Sequence, residues 1–392
     1  SFPDPFQDPA VAHGIFTRLR AEEPVAWCPE PWGGPGFWSI TKYDDIMFVD
    51  TNHGLFSSEG GITIFESKDN DFPLPMFIAM DPPKHDVQRK TVQPIVAPPN
   101  LAALEPLIRE RAGAILDSLP RGEVFNWVDK VSIELTAMTL ATLFGIPQED
   151  RRKLTYWSDV ATTGLNTGLI ETEEQRRAIL MECLQYFLQV WEDRVNAPPQ
   201  GDLISMLAHG ESTRNMDRQE YLGNLILLIV GGNDTTRNSI SGGLYALNKY
   251  PGEYDKLYAD PSLIPNMVSE IIRWQTPLAH MRRKATQDVQ IRDKTIRKGD
   301  KVIMWYVSGN RDEEVIPDAD RLIIDRPNAR RHLSFGFGIH RCVGNRLAEL
   351  QLRVVWEEIL KRFGRIEVVA EPKRVPSAFV KGYEELLVRI PA

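Results

Sequence analysis

The run His332-Leu-Ser-Phe335-Gly336-Phe-Gly338-Ile-His340-Arg341-Cys342-Val-Gly344 sets one cysteine at the end of a glycine-rich loop. A helical pattern from Asn345 to about Phe363 follows it directly. A sulfur at a helix start meets unpaired N–H groups and a partial positive charge, and both favour thiolate over thiol. Arg341 adds charge beside it. Gly336 and Gly338 permit backbone conformations that other residues disfavour, so amides can approach the sulfur and tune a metal bound there. The bland alternative is a buried structural cysteine on a loop.

A second stretch, Asn224-Leu-Ile-Leu-Leu-Ile-Val230-Gly231-Gly232-Asn233-Asp234-Thr235-Thr236-Arg237-Asn238, puts a carboxylate and a hydroxyl beside paired glycines. Two glycines inside a helix cost about 1 kcal/mol each relative to alanine. Close approach of a flat ligand, or a local opening of the helix, would offset that cost. Elsewhere, His85 and Arg89 share a helix face at i, i+4 after the helix-start signal Asp81-Pro82-Pro83, and Glu270 and Arg273 can pair at i, i+3.

The elements that must position these groups are mostly helical. Leu101 to Leu119, Val131 to Phe144, Glu173 to Val195 and Arg218 to Tyr250 carry apolar residues three and four apart. Asp129, Asp217 and Asp260 stand as caps or first-turn acids. Short strands are predicted within Gly36–Ile40, Val289–Ile296, Lys301–Val307, Arg365–Val369 and Leu386–Ile390. The fold class is therefore mainly α with small β-sheets (α+β). No linker divides the 392 residues, so one domain is expected, β-rich over about 20–65 and 289–307, helical over about 85–280 and 345–363.

Composition is that of an ordinary globular protein, 42% hydrophobic and 26% charged. A net charge of −8 argues against general nucleic-acid binding. The three separated cysteines, Cys28, Cys183 and Cys342, suit a reducing compartment rather than a disulfide framework. Ser1 to Asp8 shows no leader pattern, and the strongest apolar run, Leu225 to Val230, is too short to span a bilayer. A cytoplasmic monomer with no membrane association is the expectation.

Phe335, Gly338, Cys342 and Gly344, read as Phe-x-x-Gly-x-x-x-Cys-x-Gly, resemble the haem-binding loop of the cytochrome P450 enzymes. The resemblance implies their single-domain fold, with helices enclosing haem b and a small β-region to one side. It implies that Cys342 ligates the iron. Thr235 would hydrogen-bond the bound oxygen, with Asp234 relaying protons and Gly231 and Gly232 lying against the cofactor. His85, Arg89, Arg283 and His340 match the propionate-binding positions. Glu270, Arg273 and Arg326 match the family's structural charge network, which performs no chemistry.

Met76 to His85, Leu228 to Asn238 and Phe335 to Glu349 narrow the likeness to the soluble bacterial hydroxylases that oxidise the terminal methyl of medium-chain alkanes and fatty acids. Such selectivity requires a narrow apolar channel. Leu227, Val230, Ile78, Leu278, Ala279, Phe379 and Val380 are its candidate lining, each equally open to ordinary core packing, and Phe72 to Met80 is a candidate lid. Two electrons must come from outside, because the chain carries no nicotinamide or flavin fingerprint. A 2Fe–2S ferredoxin with its NAD(P)H-dependent ferredoxin reductase is implied, docking on Arg330, Arg331, Arg341 and Arg346. Two further readings stay open: a hydroxylase of a bulkier terpenoid or steroid, and a non-enzymatic haem-thiolate sensor, against which Asp234 and Thr235 argue.

Overall fold

The computed structural model describes residues 8–30, 33–65, 72–165 and 168–392. The reading of Ser1 to Asp8 falls outside them except for its last residue. Asp8 begins the described chain by accepting the Ala10 N–H and capping α1 (Pro9–Glu22). Strands β1 (Val25–Cys28) and β2 (Phe37–Ile40) pair antiparallel, then α2 (Tyr43–Thr51) leads to the short β3 (Phe56–Ser57).

Helices then take over. They are α3 (Lys84–Val92), α4 (Pro98–Asp117), α5 (Glu134–Phe144), α6 (Arg151–Thr162), α7 (Glu173–Val195), α8 (Leu203–His209) and α9 (Arg218–Lys249). The edge strand β4 (Val124–Asn126) interrupts them after α4. Asp217 caps α9 by accepting the Glu220 N–H, and Asp260 caps a single 3-10 turn at Ser262. Asp129 caps nothing. It lies within a wide helical turn, Val128–Ile133, and pairs with Arg152 at 3.1 Å. The helix expected from Val131 therefore becomes regular only at Glu134.

After α10 (Pro251–Ala259) and α11 (Ile264–Gln275) the chain returns to the sheet through β5 (Met281–Ala285), the hairpin β6 (Val289–Ile291) and β7 (Lys294–Ile296), and β8 (Lys301–Met304). The five-stranded sheet runs β1-β2-β8-β5-β3. Val307, expected in a strand, instead lies in the short helical turn Tyr306–Gly309, where Ser308 N–H and Gly309 N–H bond back to Trp305. Helix α12 (Asn345–Arg362) follows the cysteine loop. The chain ends with β9 (Glu367–Val368), β10 (Lys373–Arg374), β11 (Tyr383–Glu385) and β12 (Leu387–Arg389). Strand β12 sits between β4 and β9, and β10 pairs with β11.

The largest apolar cluster lies among the helices and centres on α9, while two smaller clusters sit under the five-stranded sheet. Among the described residues, no helix is long and apolar enough to cross a membrane.

Candidate active site

Cys342 lies two residues before Gly344, the N-cap position of α12, and its own N–H donates to Phe335 O at 2.8 Å. The amide that reaches the sulfur belongs to Gly344. Gly336 and Gly338 have another task. Both are left-handed (φ 63° and 66°), and a Cβ on Gly338 would stand 2.5 Å from Asp50 O. They let the loop lie on the end of α2 rather than bringing amides to the sulfur. Burial pushes the Cys342 thiol up, opposed by the Gly344 amide and by Arg89 and Arg341. Desolvation thus outweighs the helix-start effect on the sulfur, and a metal bound there would favour the thiolate.

Asp50 is the anchor of that loop, and the sequence offers no sign of it. Its carboxylate accepts from Phe337 N–H (2.7 Å), Tyr306 O–H (2.9 Å) and Arg283 Nη2 (2.8 Å). Behind the loop, Glu270 accepts from Arg273 Nε and Nη2, each at 2.7 Å, and from Arg326 Nε at 3.0 and 3.1 Å. Arg273 also donates to Asn310 O (2.8 Å), and the Asn310 side chain accepts Leu333 N–H (2.6 Å) and donates to Ser334 Oγ (2.9 Å). The charge network is thereby wired to the first residues of the cysteine loop.

The structure brings His85, Arg89 and His340 together beside it. The two imidazole rings lie 4.2 Å apart, and Arg89 donates to Arg341 O. His85 Nε2 and both ring nitrogens of His340 are buried without a hydrogen-bond partner among the described residues. Buried donors in such a state call for an acceptor group. The propionates of haem b are acceptors of that kind, so these residues fit the cofactor. Arg283 differs from them in already having partners, Nη2 donating to Asp50 and Nη1 to Arg282 O, with one further N–H left on each nitrogen. Its charge still contributes, after burial, to pushing the His340 pKa far down.

On the opposite wall, α9 runs unbroken past its two glycines, so no local opening occurs. The glycines divide the work. A Cβ on Gly231 would meet nothing within 4 Å, whereas one on Gly232 would stand 2.5 Å from Leu140 Cδ2 on α5. Gly231 is open, whereas Gly232 serves the packing of α9 on α5. Leu227, Gly231 and Thr235, four residues apart, are all at least partly open on a helix that is buried over most of its length. Thr235 Oγ1 donates to Gly231 O at 2.9 Å.

Asp234 is fully buried and turned toward α6. It accepts from Ser158 Oγ and Asn233 Nδ2 (both 3.0 Å) and Thr162 Oγ1 (3.3 Å), and pairs with Arg237 at 3.1 Å. Arg237 in turn holds Asp159 at 2.6 Å, and burial pushes the Asp159 pKa up. Acid and alcohol are adjacent in sequence, yet they occupy different environments.

Of the candidate lining residues, Leu227, Val230, Ile78, Leu278 and Phe379 are partly open. Ala279 and Val380 are not. Ala279 packs in the cluster with Phe16, Ile64 and Trp305, and Val380 is 2% exposed on the side of α1. The bridge Leu278↔Val380 and the bond Ala279 N–H to Phe379 O (2.8 Å) join the two segments. His280, given no role from the sequence, accepts Ile64 N–H at 3.0 Å and packs on Phe379. Burial holds its pKa at about 3. The candidate lid is pinned to α9: Phe77 N–H donates to Asn224 Oδ1 at 3.0 Å, and Pro75 O leaves no space for a Cβ on Gly223.

Comparison with known proteins agrees with this geometry. The family model described as Cytochrome P450 matches residues 154–382. The solved structure of Cytochrome P450-153 from Novosphingobium aromaticivorans superposes with a TM-score of 0.91 at 48% identity, covering 100% of both chains. Linalool 8-monooxygenase of Pseudomonas putida is 38% identical over 96% of this chain and 95% of its own length. Methyl-branched lipid omega-hydroxylase of Mycobacterium tuberculosis is 33% identical over 97% of this chain and 91% of its own.

Proposed function

Since the chain belongs to the cytochrome P450 family, haem-thiolate monooxygenases, we propose that it hydroxylates the terminal methyl of medium-chain n-alkanes or fatty acids. The observation that carries this reading is the α9 stripe Leu227, Gly231 and Thr235, at least partly open and apolar up to its one hydroxyl, with Leu278 and Phe379 as further partly open apolar residues. A linear chain can enter such a surface without stranding a polar group. Likeness to Cytochrome P450-153 supports the same choice. Likeness to linalool 8-monooxygenase favours a second reading, a terpenoid substrate.

Cys342 would ligate the haem iron, and His85, Arg89 and His340 would hold its propionates. When bound, the haem supplies oxygen activation, which thiolate donation assists by favouring O–O cleavage. The remaining work belongs to the chain. Thr235 Oγ holds a proton at the cleft wall. Asp234 would leave Ser158 and Arg237, take up a proton from solvent and pass it to Thr235, while Asp159 keeps its existing pair with Arg237. The apolar wall orients the chain end and excludes water.

Electrons arrive from a 2Fe–2S ferredoxin on the cysteine side, where Arg330, Arg331, Arg341 and Arg346 are exposed. Turnover of octane, decanoic acid and linalool with a surrogate ferredoxin and reductase tests the substrate. Terminal alcohols from the linear compounds are expected. Product from linalool alone would install the second reading.

A further inference from the structure

A cavity of about 960 Å³ lies away from the cysteine, between the start of α1, the C-terminal end of α9, the end of α11 and the β10–β11 hairpin. Arg311, Arg374 and Lys381 face it. Arg311 is 4% exposed, and its Nε and Nη1 have no hydrogen-bond partner among the described residues. Its nearest carboxylate, Asp320, stands 3.7 Å from Nε, beyond hydrogen-bond reach, and is well exposed.

The other acids around the cavity are engaged. Glu371 accepts from Tyr245 O–H at 3.0 Å, Glu384 pairs with Lys373 at 2.6 Å, and Asp8 caps α1. No carboxylate of the lining stands within hydrogen-bond distance of the Arg311 guanidinium, whose Nε and Nη1 stay unpartnered among the described residues. Burial, then Arg311 and Arg374, push the Lys381 ammonium well below the usual lysine range, and no carboxylate offsets them. The neighbouring His13 is driven down by burial and then by Arg311 and Lys381. Arg374 stacks over the Tyr245 and Tyr383 rings, which fixes its guanidinium at the cavity wall.

A buried guanidinium with two unpartnered donors, beside two half-buried cations on one cavity, offers an anion charge-assisted hydrogen bonds. We propose that this cavity binds a small, multiply charged oxyanion through Arg311, Arg374 and Lys381. Guanidinium forks match carboxylate and phosphate oxygens, so di- and tricarboxylates and phosphates share the required chemistry. Occupancy would also be felt near the cleft. Lys381 N–H donates to Pro277 O at 2.9 Å, Gln275 Nε2 donates to Lys381 O at 2.7 Å, and Phe379 is two residues away.

Calorimetric titration of the holoenzyme with citrate and with inorganic phosphate, at fixed ionic strength, tests the site. Saturable one-to-one binding of at least one anion is expected, weakened tenfold or more in Lys381→Gln and in Arg374→Gln, with the haem spectrum unchanged. The preferred anion distinguishes a carboxylate ligand from a phosphate one. Arg311→Gln is the third variant; because Arg311 also donates to Trp274 O, the other two carry the test if it fails to fold. Absence of saturable binding, or equal binding in all variants, overturns the proposal. Binding that emerges only after deletion of residues 1–7 also overturns it, by assigning the cavity to the chain's own N-terminal segment.

Discussion

The cysteine wall and the oxygen wall of the cleft are held by different kinds of bond. On the cysteine side, buried charges fix the loop: Asp50 gathers three donors, and Glu270 with two arginines backs the segment before it. On the oxygen side one long helix lies against apolar neighbours, and its acid is held by hydroxyls and by an arginine shared with Asp159. Breaking a buried ion pair costs about 3–5 kcal/mol and a hydroxyl contact about 1 kcal/mol. The buried pair on the oxygen side, Asp234 with Arg237, differs in that Asp159 also holds the arginine, so Asp234 can leave without stranding that charge. The first wall is built to stay, the second to rearrange. That division suits a catalyst whose ligand must not move while its proton donor must.

Removing the anchor should give the largest effect. Asp50→Ala leaves Arg283 buried without its carboxylate, and a loss of about 3–5 kcal/mol is expected, read as a lower melting temperature and reduced haem content. Survival of the protein at wild-type stability would erase the contrast between the walls.

Thr235→Ala on the other wall should leave folding and haem content intact. Product per electron consumed should fall severalfold, with peroxide or water taking the difference; full coupling would remove the assigned role.

Reversing exposed charges beside the rigid wall, as in Arg341→Glu with Arg346→Glu, should slow reduction by ferredoxin about tenfold at low salt, and less at high salt. Substrate affinity should not change. An unaltered reduction rate would place the docking surface elsewhere.

The smallest effect is expected at Gly231. Alanine there meets open space and removes a helix glycine, so stability should rise by up to about 1 kcal/mol. The added methyl enters the cleft, and weaker spectral binding of linear substrates is the corresponding cost. The same change at Gly232 should destabilise instead, because Leu140 occupies the space.

Legibility from sequence followed the range of the interactions. Phe335, Cys342 and Gly344, the pair Glu270 and Arg273, and the pair Asp234 and Thr235 are each set by spacings within one loop or one helix turn, and such spacings are visible along a chain. Asp50 is invisible for the opposite reason: its partners stand more than 200 residues away and impose no local pattern. Ser158 and Thr162, which receive Asp234, are ordinary helix residues until α6 meets α9. Ala279 and Val380 are covered by residues distant in sequence, Phe16 and Trp305 for the one and the α1 side for the other, and such contacts leave no local pattern. The packing role of Gly232 is hidden because a packing glycine and an open one look identical in sequence.

The position of Asp50 also has a temporal meaning. Its carboxylate is made early in synthesis, while Tyr306 and Phe337 emerge 256 and 287 residues later. Contacts of such separation form slowly, since a long loop must close before they reward it. The pocket wall around Cys342 is therefore completed only when the last fifth of the chain folds back onto the first. Cofactor capture is, on this arrangement, a late event in the protein's assembly, and it seals the two ends of the polypeptide together.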